Sequence, residues 1–241
     1  MTESFDYAAL TRNDPNPVKR YLQARRLKDA LDLLGHRHGR QFVDYGAGDG
    51  ELVRHLKHRR PEAVTICFEP WSLLSHACRH NIEDLSATTL VETADDVPDG
   101  FADAIFCLEV FEHLPAEEIE TALHHIARIL KHDGVLIVGV PVETGPVARL
   151  KGWFRGLRRN DFDTDPDRIA QAARGDIRFE RFRMDLGNGG GYYPHHLGFD
   201  YRDLLRAVDS RFVVRKRQSS PFGWLPPEVN SELNLLLTKR T

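Results

Sequence analysis

The chain has 241 residues, 41% of them hydrophobic and 29% charged, with a formal net charge of −3. That length suits one α/β domain with a substantial core, or a domain carrying an elaborated insertion, and the slight acidity gives no support to a general nucleic-acid binder. Cys67, Cys78 and Cys107 lack metal-type spacing, "MTESFDYAALTRNDPNP" lacks an apolar signal core, and the longest apolar run, "VLIVGVPV" (135–142), is too short to span a bilayer, so a cytoplasmic protein with buried free thiols is expected.

The stretch "PVKRYLQARRLKDALDLLG" (17–35) places Tyr21, Leu22, Leu27, Leu31 and Leu34 near one helical face, with Pro17 at the start and Gly35 at the end. "QFVDY" reads as a first strand and "GELVRHLKHRR" as the helix it feeds. "AVTICFE" (63–69), "ATTLVE" (87–92), "FADAIFCLEV" (101–110) and "GVLIVGV" (134–140) read as further strands, separated by the helices "SLLSHACRH" and "AEEIETALHHIARIL". "DYRDLLRAV" is a late helix, and "RFVVRKRQ" and "ELNLLLTKR" are two closing strands. This alternation predicts a doubly wound, mainly parallel seven-stranded sheet. Residues 1–40 form an N-terminal helical extension in this scheme, and 41–241 one domain with an insertion over 141–198. That insertion, rich in Gly, Arg and Asp, falls where such a sheet exposes its carboxyl ends, the usual ligand side.

"FVDYGAGDGELVRHL" (42–56) joins the first strand to its helix through glycines at every second position. A dinucleotide turn wants G-x-G-x-x-G, but the third place here is the anionic Glu51, and Asp44 would repel a pyrophosphate. No Gly-Lys-Ser/Thr follows, which excludes a P-loop. The turn suits a ligand that needs close backbone approach, welcomes a carboxylate and carries no phosphate. S-adenosylmethionine meets these conditions, with Glu69 at the end of the second strand as acceptor for ribose hydroxyls.

"VDYGAGDG" with "CFEP" resembles the first two motifs of class I, Rossmann-like methyltransferases of the type 11/23 kind. "ETADDVPDGFADAIFCLEVFEHLP" resembles the family's adenine-binding stretch and active-site edge, and "LKHDGVLIVGVP" its fifth-strand signature. The resemblance implies that Asp44, Gly46, Ala47, Gly48 and Gly50 cradle the cofactor while Glu69 and Pro70 meet its ribose. It further implies that Ala94 and Asp95 border adenine, with Thr93 where the family often has an acid. It implies as well that Leu108 packs beside adenine and the methionine chain and that Arg26 grips the methionine carboxylate.

In "CLEVFEHLP", a helical turn after the strand would put Glu109, Glu112 and His113 at i, i+3 and i+4 on one face. Two carboxylates and an imidazole suit a hard divalent cation such as Mg²⁺. The E-x-x-E-H pattern resembles that of ubiquinone-pathway O-methyltransferases and small-RNA 2′-O-methyltransferases, where it supplies metal ligands; in many other relatives it does not. Without metal, His113 is the candidate general base beside Glu112. His195 and His196, in "YYPHHLGF", are candidates to fold back onto this cluster, His196 being preferred. His36, His38, His55, His58, His124, His125 and His132 are expected to be solvated.

"GPVARLKGWFRGLRRN" (145–160) interleaves Arg149, Lys151, Arg155, Arg158 and Arg159 with Leu150, Trp153, Phe154 and Leu157 at helical spacing. A packed lid, an anionic-membrane contact at the inner face and a clamp for a phosphate-bearing substrate all fit it. This stretch, with "HLGFDYRDLLRAV" and "SSPFGWLPPEVNSELNL", resembles methyltransferases of surface-polysaccharide and glycolipid assembly. The expected reaction is O-methylation of a small-molecule, sugar or lipid-linked glycan hydroxyl. RNA 2′-O-methylation, a non-catalytic cofactor-binding module and a nicotinamide oxidoreductase are the competing readings.

Overall fold

In the computed structural model, described over residues 17–37, 39–157, 161–185 and 190–240, α1 (Pro17–Leu34) leads into β1 (Gln41–Tyr45). Then come α2 (Glu51–Arg59), β2 (Val64–Phe68), α3 (Ser72–Ile82), β3 (Thr88–Val91), β4 (Ala102–Leu108), α4 (Ala116–Ile129) and β5 (Leu130–Pro141). The segment after β5 holds α5 (Pro146–Gly156), α6 (Pro166–Arg174) and a short hairpin of β6 (Met184–Asp185) and β7 (Gly191–Tyr192). α7 (Tyr201–Val208), β8 (Phe212–Ser220) and β9 (Glu232–Lys239) complete the chain.

Seven strands form one sheet in the order β3-β2-β1-β4-β5-β9-β8. Neighbours are parallel from β3 to β5, and β9 runs antiparallel to both β5 and β8. The strand order reverses between β1 and β4, so the crevice at their carboxyl ends is where such a sheet takes its ligand.

Successive strand residues face opposite layers, and both layers are filled. Phe42, Ala104, Phe106 and Ile137 pack beneath α1 and α2 against Ala30, Leu31, Leu34, Leu52 and Leu56. Val43, Ile105, Cys107, Leu136 and Val138 pack on the other face against Leu123 and Ile126 of α4 and Leu204 and Val208 of α7. Each fully buried side chain of this size contributes about 1.5–3 kcal/mol. The three cysteines are free and buried, Cys107 in the second of these layers and Cys67 and Cys78 in a separate cluster with Val53 and Ile82.

The anticipated helix at 17–35 and all seven strands are present, the helix ending at Gly35 with φ 59°. Three local expectations change. β5 begins at Leu130 rather than Gly134, the segment read as irregular contains α6 and the hairpin, and β4 is not followed by a helical face. Instead Glu109 takes φ +56°, and a single 3-10 turn spans Phe111–His113. No helix among the described residues is long and apolar enough to cross a membrane.

Candidate active site

β1 delivers Asp44 and Tyr45 to the crevice and then turns through Gly46, Gly48 and Gly50, with φ 79°, 57° and 80°. Those left-handed values favour glycine. At Gly46 a Cβ would also lie 2.4 Å from Val110 Cγ2, so the turn is tucked against the loop that follows β4. The N–H groups of Gly46 and Ala47 both donate to the Phe68 carbonyl at 2.9 Å, tying the turn to β2.

Just past β2, Glu69 accepts from Gly48 N–H at 2.8 Å and from Trp71 N–H at 3.0 Å. Burial pushes its carboxyl up to about 7 despite those two bonds. Asp44 is 5% exposed, and its Oδ2 has no hydrogen-bond partner. Burial, followed by the fields of Glu69 and Asp49, pushes it up to about 8. Pro70 is exposed beside Glu69, and Leu108 is partly buried at the end of β4. Ala94 is buried with its carbonyl accepting from Arg128 Nη2 at 2.7 Å, whereas Asp95 points to the surface, 3.8 Å from the same nitrogen.

The shared face expected for Glu109, Glu112 and His113 does not form. Glu109 donates its N–H to the Gly139 carbonyl at 2.9 Å, and its left-handed backbone sets its side chain toward Arg26, with the Glu112 carboxyl beside it and His113 turned away. It meets Arg26 Nη1 at 3.0 Å, and Arg26 Nη2 holds Glu232 Oε1 of β9 at 2.6 Å. Arg26 is therefore a largely buried bridge, and its Nε has no partner.

His113 points the other way, beneath the segment that ends in "YYPHH", and Glu112 lies between it and the Arg26 group. Glu112 is 0% exposed with neither carboxylate oxygen hydrogen-bonded, and burial pushes it up to about 8. His113 Nδ1 lies 2.7 Å from the Tyr193 carbonyl, which accepts, so Nδ1 is assigned the proton. The Tyr193 N–H donates back to the His113 carbonyl at 2.8 Å. His113 Nε2 is then the lone-pair nitrogen, 3.9 Å from Glu112 Oε1. Burial lowers His113 to about 4, so it is neutral at physiological pH. Tyr192 stacks on His113 at 4.8 Å, and His196 meets it edge-on at 4.8 Å. The ligand atoms of Glu112, His113 and His196 all lie within 4.8 Å of one another. His195 turns elsewhere, 3.6 Å from Asp163 and stacked on Phe162. His125, expected in solvent, is half-buried with Nδ1 3.3 Å from the Tyr45 hydroxyl.

α5 reverses the anticipated orientation of its cations. Lys151 and Arg155, four apart, face inward onto the fully buried Glu143, at 2.9 Å and, for both Arg155 contacts, 2.8–2.9 Å. Leu150, Trp153, Phe154 and Leu157 are left exposed. A phosphate clamp loses Lys151 and Arg155 to this carboxylate; Arg158 and Arg159 lie outside the described residues, as do His38 and residues 1–16. Sequence reading missed Glu143, Arg181 and Glu232. Arg181 Nη2 donates to the carbonyls of Glu112 and His195 at 2.6 Å each and lies over the Tyr193 ring. Only the four-residue spacing of Lys151 and Arg155 carried a local hint of a shared partner.

The sheet order, the glycine turn flanked by two buried acids and the charged cluster beyond β4 together define a cofactor-binding α/β transferase. The methyltransferase-domain family matches this chain over residues 18–169, and the chain belongs to that family, whose members use S-adenosylmethionine. The ubiquinone biosynthesis O-methyltransferase of Alkalilimnicola ehrlichii is 31% identical over 128 residues, 52% of this chain and 48% of that protein. The chain thus spans about half the length of this curated relative. In fold, the chain is similar to the PH0226 protein of Pyrococcus horikoshii, with TM-score 0.66, 11% identity and coverage of 97% and 96% of the two chains. It is also similar to the N-methyltransferase NodS of Bradyrhizobium japonicum, solved with S-adenosyl-L-homocysteine, with TM-score 0.55, 14% identity and coverage of 95% and 91%.

Proposed function

We propose that this chain transfers the methyl group of S-adenosylmethionine to a hydroxyl of a small molecule, a sugar or a lipid-linked glycan. The observation that carries the reading is Asp44: a buried carboxylate with an unpartnered oxygen beside a glycine turn. It suits a cationic nucleoside and opposes a pyrophosphate. The oxygen-methylating relative, matched over half its length, supports a hydroxyl acceptor. Residues 41–241 act as the methyltransferase domain, 1–40 as its extension and 141–198 as a substrate lid.

S-adenosylmethionine supplies an electrophilic methyl on a cationic sulfur. The chain's own groups bind and orient. Gly46, Ala47, Gly48 and Gly50 admit the nucleoside to bare backbone, with Asp44 facing its positive end. Glu69 keeps a second lone pair on each oxygen for ribose hydroxyls, Pro70 borders them, Ala94 and Asp95 edge the adenine, and Leu108 packs beside it. Arg26 offers its unpartnered Nε to the methionine carboxylate. His113 Nε2 takes the acceptor proton as the oxygen attacks in line, and Glu112 and His196 stabilise the imidazolium that results.

Glu112, His113 and His196 also have the donors to hold a divalent cation, which would polarise the acceptor oxygen. One carboxylate and two imidazoles are more nitrogen-rich than Mg²⁺ prefers. The expected Glu109 ligand is engaged by Arg26 instead. Retention of activity in EDTA supports the metal-free route, and loss restored by Mg²⁺ or Mn²⁺ supports the cation.

Titration calorimetry with S-adenosylhomocysteine and with NAD(H) tests the core reading, and tight NAD(H) binding alone overturns it. Unchanged methyl transfer after substitution of both Glu112 and His113 would remove the cluster from catalysis. The exposed Leu150, Trp153, Phe154 and Leu157, bordered by exposed Arg149, support docking on an anionic lipid surface. Co-sedimentation with phosphatidylglycerol vesicles, abolished by W153A/F154A, is the expected result; binding indifferent to those changes rejects it.

A further inference from the structure

On the α1 face of the sheet, Glu232, Asn234 and Leu236 alternate inward along β9, and Leu236 lies in the layer that α1 covers. Asn234 is 0% exposed, yet neither its Oδ1 nor its Nδ2 has a partner. Its register partner on β5 is Gly139, where a Cβ would fall 3.0 Å from Asn234 Oδ1 and 2.9 Å from Leu108 Cδ2. Asn234 therefore reaches across the glycine toward the end of β4, where Glu109 begins the loop carrying Glu112. Glu109 Oε1, Glu232 Oε2 and Gln23 Oε1 of α1 are also buried and unpartnered.

A native interior leaves few such groups unpaired, because each carries an unmet desolvation cost. Glu109 and Glu232 meet each other around Arg26, and Gln23 stands three residues before Arg26 on α1. With Arg26 Nε assigned to the methionine carboxylate, Asn234 Nδ2 is the one unpartnered donor beside four unpartnered oxygens. The carboxyl groups of Glu109, Glu232 and the neighbouring Glu112 also crowd around a single cation, Arg26. A hydroxyl brings one donor and no charge; an alkylammonium brings three donors, no acceptor and one positive charge.

We infer that Gln23, Glu109, Glu232 and Asn234 form an acceptor subsite for a protonated amine, so that the methylated hydroxyl belongs to an amino sugar or amino alcohol. The inference rests on the methyltransferase reading and narrows its acceptor. The subsite lies on the β5–β9 side of the crevice, away from Asp44 and Glu69, and adjoins the cofactor through Arg26, which holds both Glu109 and Glu232.

The test measures transfer of labelled methyl from S-adenosylmethionine to glucosamine and serinol, against glucose and glycerol, by wild type and N234L. Wild type should methylate an amine-bearing probe on oxygen with KM at least about tenfold below that of its neutral counterpart. N234L should raise that KM about tenfold, leave S-adenosylhomocysteine affinity within about twofold and raise Tm, since it removes an unmet polar group. Equal use of the neutral probes, or no transfer to any probe while S-adenosylhomocysteine binds, overturns the amine subsite and leaves the methyltransferase reading standing. A lowered Tm with unchanged KM assigns Asn234 to a buried-water network and also overturns it. A tenfold loss of S-adenosylhomocysteine affinity in N234L gives the subsite to the cofactor. Failure of wild type to bind S-adenosylhomocysteine defeats the underlying reading itself.

Discussion

Asp44, at the end of β1, and Glu143, just past β5, are both buried carboxylates at the same edge of one sheet, yet their surroundings are opposite. Burial alone would raise Glu143, but Lys151 and Arg155 outweigh it and hold the carboxyl well below its ordinary range. Asp44 has no ion pair among the described residues, and its neighbours Glu69 and Asp49 raise it further. A buried acid with its own cations is scaffold. A buried acid without one is a place where a ligand's charge is worth most.

The sharpest way to break this contrast is Glu143→Ala, which leaves two cations against an apolar wall. It should cost about 3–5 kcal/mol of stability in urea or thermal unfolding. Glu143 contributes stability above its unfolded pKa and loses it as the pH falls through its depressed folded value, so the variant should also flatten the acid limb of the stability profile. His113→Ala removes the bond to Tyr193 and two ring contacts, so it should lower Tm, while S-adenosylhomocysteine affinity stays close to wild type and methyl transfer falls by about 10²–10⁴-fold in single-turnover assays.

Asp44→Asn should behave as the mirror of the Glu143 variant. Stability is held or raised, because an uncompensated charge is removed, while calorimetric affinity for S-adenosylmethionine falls about 10–100-fold. The smallest effect is that of pH. Asp44 and Glu69 are raised to about 8 and about 7, and a cationic ligand favours their ionised forms. S-adenosylmethionine should therefore bind more tightly as pH rises from about 6 to about 8, with proton release on binding. The raised values also mean that the ligand-free protein loses stability as pH climbs from the unfolded carboxylate pKa toward them. Asp44→Asn should reduce both dependences; a pH-independent affinity would contradict the assignment.

The glycine turn and the sheet around it were legible because their signals are local: glycines two apart, an acid near the end of each of two strands and apolar runs buried on both faces. The acceptor side depends on partners far apart in the chain. Arg26 and Glu232 are separated by 206 positions, and His113 and Tyr193 by 80. The face predicted from E-x-x-E-H failed at one residue, because pairing of Glu109 N–H with the Gly139 carbonyl favoured a left-handed turn over helix continuation. The lid helix shows a similar limit. Its periodicity was read correctly, but periodicity cannot say which stripe faces in, and a single buried glutamate turned the cationic stripe toward the core.

The stitching of Tyr193 to His113, with Arg181 clasping the carbonyls of Glu112 and His195, closes residues 181 and 193–196 over Glu112. Glu112 has no exposed surface, so on the proposed reading an incoming acceptor has to part this seam and a departing product has to part it again. A single-turnover rate faster than steady-state turnover is the expected sign of such a gate.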